Sequence, residues 1–250
     1  MKKLKNLEGI KMDELINEFI KNAEKFYEKL DENSPNYEPN HRFKSWEHNF
    51  SIFCEERENT NPDIDKLTIH LAFYLASWGM YRGSSFLLQK DYKIHEEVVK
   101  EIIKEDYDDL VAIKFNDLKG ENLEKMEKLN SFLREHYRKI AEKEDDKKIS
   151  DILITKILLG TLGCVPAYDN YFKKGFKKFN TLGSFSNNEG KLNEKSILRL
   201  REFYEKYEKE LEEKRKDFKI KINNKNVENK YPQMKVLDMG FWQIGLEEEK

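Results

Sequence analysis

Asp169 is the residue best placed to do chemistry. It closes the turn Val165-Pro166-Ala167-Tyr168 and opens a segment in which Tyr168, Tyr171, Phe172, Phe176 and Phe179 interleave with Lys173, Lys174, Lys177 and Lys178. A fixed carboxylate can stabilise positive charge developing on a sugar ring. Cations interleaved with aromatic rings suit a nucleic-acid strand. The apolar run Ile152–Leu162 ahead of the turn reads as a core helix broken at Gly163-Cys164. A buried helix, a glycine turn, one carboxylate and a basic face can together act on a polyanion. The same residues also fit plainer roles, since aspartate often caps a helix and a Lys-Lys-Gly-Phe-Lys-Lys run is often a solvated face.

A second constellation is Trp78-Gly-Met-Tyr-Arg-Gly-Ser-Ser85. Arg82, Ser84 and Ser85 beside two glycines form an anion-binding candidate, because a planar guanidinium, hydroxyls and free backbone N–H groups converge on a phosphate or carboxylate. The lysine, spacing and preceding strand of a P-loop are missing. The plainer role for Arg82 is an internal ion pair that fixes a helix junction. His41, His48, His70, His95 and His136 are scattered without a His-x-x-x-His pair, so neither a metal site nor a cofactor is expected. Cys54 and Cys164, the only cysteines, lie in separate segments and offer neither a disulfide framework nor a Cys-based zinc motif.

The elements that must position these groups are helical. Apolar residues recur at helical spacing over Met12–Leu30 and Phe43–Arg57, around a buried centre Leu67–Trp78, and again over Ile94–Ile103, Asn122–Ile140 and Ile197–Phe218. Asp63 or Asp65 suits the cap of the third. The segments 31–40, 181–193 and 223–232 read as loops, and 142–148 as a charged connector. The apolar cluster Met234–Ile244 is too hydrophobic for a free tail and is expected to dock as a short strand or extended arm. The expectation is a mainly α, single compact multi-helix domain over 1–250, any division into two lobes falling near 142–150.

Charged residues make up 38% of the 250 and mean hydropathy is −0.87, while 12% aromatics supply the buried area that ordering requires. Lys and Arg (46) nearly balance Asp and Glu (48), so nucleic-acid binding would have to come from a local patch. No apolar run approaches the ~20 residues of a membrane span, and the N-terminus has no signal-peptide core. A cytoplasmic protein is expected, with no membrane partner. The abundance of Lys, Asn, Ile and Glu suits an AT-rich bacterial genome.

Leu159-Gly-Thr-Leu-Gly-Cys-Val-Pro-Ala167 resembles the hairpin of helix-hairpin-helix proteins, Gly163 and Ala167 matching and Thr161 standing where a glycine is usual. In a second registration, Thr155-Lys156-Ile157 and Val165-Pro166-Ala-Tyr-Asp169 resemble the Lys … Val-Pro-x-Asp end of helix-hairpin-helix DNA glycosylases. That resemblance implies an N-glycosidic hydrolase acting on DNA, with Asp169 and Lys156 catalytic and Gly163 gripping a phosphate. Lys173, Lys174, Lys177, Lys178, Tyr168 and Tyr171 would then contact the nucleic acid. The competing expectation is a non-enzymatic helical binding or regulatory module in which glycines and aromatics are packing.

Overall fold

The computed structural model describes residues 2–141, 149–179, 191–222 and 225–249. The fold is mainly α. In chain order the elements are α1 (Lys2–Glu28), α2 (Ser45–Arg57), α3 (Ile64–Ser77), α4 (Glu96–Ile102), α5 (Glu121–Ala141), α6 (Asp151–Thr161), α7 (Asn170–Phe179), α8 (Glu194–Lys206), α9 (Glu208–Arg215), β1 (Lys219–Ile222), β2 (Lys225–Lys230) and α10 (Gln233–Glu247). They form two compact units: 1–39, 168–218 and 236–250 in one, 40–167 and 219–235 in the other. The chain passes between them at 39/40, 167/168, 218/219 and 235/236. The charged connector 142–148 lies outside the described residues, as does most of the expected loop 181–193.

Three expectations change. The Met234–Ile244 cluster is neither strand nor arm but helix α10, since its apolar residues and Gly240 all pack when the segment coils. The strands fall earlier, as an antiparallel β1–β2 hairpin, β2 inside the stretch 223–232 read as loop and β1 just ahead of it. The expected long helix 197–218 is two helices, α8 and α9, broken at Tyr207, which caps one and starts the next.

The first unit is built on phenylalanine. Phe241 meets Phe19, Phe176 and Phe203 with ring centroids 4.8–4.9 Å apart and Phe172 at 5.7 Å. Helices α7 and α10 approach so closely that a Cβ on Gly175 would lie 1.9 Å from the Phe241 carbonyl oxygen. One on Gly245 would lie 1.9 Å from that of Tyr171. Only hydrogen fits at either place.

In the second unit α6 is buried along almost its whole length. A helix end leaves its last four carbonyls unpartnered, and burying them bare costs about 1–3 kcal/mol each. Here those of Leu158, Leu159 and Gly160 have donors. Leu158 O accepts from the amides of Leu162 and Gly163, Leu159 O from Trp46 Nε1 at 2.9 Å, and Gly160 O from Asn49 Nδ2 at 2.6 Å. Ile157 O takes Thr161 Oγ1 and Lys156 O takes the Tyr74 hydroxyl, at 2.8 and 3.0 Å. Leu162 O takes the amide of Ala112, which holds a left-handed φ of 51° to reach it. Glu47, fully buried on α2, ties that helix to the hairpin region by accepting from Tyr231 Oη at 2.6 Å and the Lys221 amide at 2.9 Å, with Lys44 Nζ at 2.8 Å.

Candidate functional site

Asp169 precedes α7 and caps it. One carboxylate oxygen accepts from the Phe172 amide at 3.0 Å, and the main-chain oxygen accepts from the Lys173 amide. Beyond it the sequence that alternates lysines and aromatics becomes one amphipathic helix. Phe172 and Phe176 face the core, and Lys174, Lys177 and Lys178 face water. Lys174 pairs with Glu249, and Lys178 pairs with Glu18 at 3.0 Å and Glu248 at 3.8 Å. Lys173 and Lys177 have no ion pair among the described residues. Tyr168 is buried, its hydroxyl donating to Ser196 Oγ at 2.9 Å, and half-buried Tyr171 sets its ring edge-on to Trp242. The residues expected to face a nucleic acid are thus mostly engaged within the first unit.

Gly163 and Lys156 belong to the second unit. Gly163 is the left-handed residue that ends α6, at φ 64°, and its N–H is taken by Leu158 O. It is buried, and an added Cβ would meet Pro232 at 2.6 Å, so the turn terminates a core helix rather than presenting amides outward. Lys156 is buried and donates to the Trp78 carbonyl at 2.7 Å. Its ammonium lies 5.8 Å from the Trp78 ring centre, and that of Lys235 lies 4.6 Å from the same ring and 5.2 Å from Trp46.

Arg82 is exposed and has no ion pair among the described residues. It folds back over the turn, its Nε 3.0 Å from where a Gly79 Cβ would stand. Gly79 and Gly83 both take left-handed φ, 76° and 60°, as the reversal after α3 requires. Ser85 Oγ caps the following 3₁₀ turn through the Leu87 amide at 3.2 Å, and Ser84 is exposed.

Burial shifts several of the remaining reactive side chains toward their neutral forms. His95 is buried between Tyr137 Oη at Nδ1 (2.5 Å) and Tyr81 Oη at Nε2 (2.6 Å), and burial lowers it to about 3, with His136 adding repulsion. A neutral ring donates through one nitrogen and accepts through the other, which suits two hydroxyls and makes a poor base. Burial likewise lowers His48 and His70. It pushes the Cys54 and Cys164 thiols up to about 12, which leaves little thiolate near neutrality. Among the described residues no group of three His, Cys, Asp or Glu could hold a metal ion. No described helix is long and apolar enough to cross a membrane.

What the sequence did not separate is the two sides of α3. The run Leu67–Trp78 reads as uniformly buried, and half of it is. Leu67, Leu71, Tyr74 and Leu75 are fully enclosed, Gly160 admitting the Tyr74 ring so closely that a Cβ would fall 2.4 Å from it. On the other side Phe73 is 63% exposed and Ile69 47%, with Ala76 exposed and Ala72 half-buried. Their spacing of four and three residues makes one seam. The available signal was a segment apolar all round, more than one packed face needs. No protein-family model matches this chain, and no curated protein or solved structure matches it.

Proposed function

We propose that this chain is a non-enzymatic helical interaction module that meets a protein partner bearing an apolar helix face through the outer seam of α3. The observation that carries this reading is Phe73, a large aromatic left 63% exposed one turn from the half-exposed Ile69. Burying such a side chain is worth about 1.5–3 kcal/mol, and an apolar seam rimmed by charge is a common mark of a contact surface. The burial that favours the neutral forms of His48, His70, His95 and the two thiols fits the same reading. The two unpaired thiols suit a reducing compartment, and we place the protein in the cytoplasm on that basis. Immobilised wild-type protein should retain a protein partner that Phe73→Glu loses while circular dichroism stays the same. A Phe73→Glu chain that keeps every partner would contradict the reading.

The second reading, a DNA-acting N-glycosidic hydrolase, draws on Lys173 and Lys177, the α7 cations without ion pairs among the described residues. It requires salt-sensitive duplex binding that weakens when both are neutralised, and base release that disappears in Asp169→Asn. Absence of both would remove it.

A further inference from the structure

Taking α3 as a contact face, we infer that the partner it fits is a second copy of itself, laid antiparallel across a two-fold axis. Side-chain size sets the register. An axis passing between Ala72 and Phe73 sets Ile69 of each copy opposite Ala76 of the other, and Phe73 opposite Ala72. Each large side chain then meets a small one, as close helix packing demands. The 69–73–76 spacing of four and three residues is that of a helix seam.

Charge gives the same direction. The start of α3 carries Asp63 and Asp65, its Lys66 being taken by Glu56 at 2.8 Å, and the turn after its end carries Arg82, exposed and without an ion pair among the described residues. Antiparallel pairing brings the arginine end of one copy beside the aspartate end of the other, twice, and sets the two helix dipoles in opposition. A parallel arrangement would stack aspartates on aspartates. Asp65 already pairs with Lys93 at 2.5 Å, but both partners are half exposed, and an exposed pair of that kind is cheaply exchanged. A single helix seam buries less than the ~1,200–2,000 Å² of a stable interface, so the pairing is weak and concentration-dependent.

Sedimentation equilibrium over a wide concentration range tests this. The wild type should approach a dimer at high concentration, and Phe73→Glu should weaken association about tenfold or more without changing the helical spectrum. Arg82→Glu and Asp65→Arg should each weaken it several-fold, and the double variant should recover it, because each reversed charge finds its reversed counterpart across the axis. Failure of the double variant to recover would overturn the antiparallel register. A wild type monomeric at every concentration would overturn self-pairing altogether. In that case the interaction-module reading stands only if a different protein is captured in a Phe73-dependent way, so the two failures are told apart.

Discussion

The carboxylate of Asp169 caps a helix start, and that fixes what its replacement should do to stability. Asparagine caps about as well as aspartate, so Asp169→Asn should change stability by only a few tenths of a kcal/mol, whereas Asp169→Ala should cost about 1 kcal/mol. Chemical denaturation of the two variants reads the difference, and equal losses would mean that the carboxylate charge, not the cap, matters. His95 makes a second prediction. In the unfolded chain it titrates near 6.5, and in the folded chain near 3. The unfolded state therefore takes up a proton that the folded state refuses. The stability that neutral His95 provides is complete above about pH 6.5 and is lost as pH falls toward 3, at roughly 1.4 kcal/mol per pH unit within that window. The urea midpoint should fall across that range and should fall less steeply in His95→Gln; parallel slopes would assign the acid loss to other groups. Both residues were visible in the sequence as a turn aspartate and a histidine near an apolar stripe. Their partners, the Phe172 amide and the hydroxyls of Tyr81 and Tyr137, were not, because two of the three come from distant parts of the chain.

The helices follow from periodicity, and α2, α3, α5 and α6 lie close to where their apolar spacing sets them. Periodicity cannot say how a buried helix ends. The carbonyls closing α6 are met by Trp46 and Asn49, more than a hundred residues earlier, and no local pattern announces such a pairing. Asn49→Leu should strand the Gly160 carbonyl at a cost of about 1–3 kcal/mol. Gly175→Ala should cost at least as much, because a Cβ there strikes backbone that cannot swing aside. Thermal unfolding of the two variants checks both, and a loss below half a kcal/mol in either would contradict the packing described. The same limit of periodicity explains α7 and α10. Lysines interleaved with aromatics look alike on a strand-binding surface and on an amphipathic helix, and a cluster such as Met234–Ile244 looks alike as arm and as buried helix. Only the close approach at Gly175 and Gly245 distinguishes them.

For the molecule as a whole, the proposed function lies on a surface rather than in a cleft. The catalytic lead in the sequence was a carboxylate, a turn and a row of cations. In the fold the carboxylate caps α7, the turn ends α6, and two of the four lysines pair with glutamates at the surface. Among the large apolar side chains it leaves in water, Ile69 and Phe73 stand together on α3, with opposite charges toward the two ends of that helix. The most direct test is hydroxyl-radical footprinting of Phe73, read by mass spectrometry in dilute and concentrated solutions and in the presence of a DNA duplex. Self-pairing through α3 predicts that Phe73 becomes protected as concentration rises and that DNA changes nothing. Equal labelling of Phe73 at every concentration, with protection appearing at Lys173 and Lys177 when DNA is added, would contradict it.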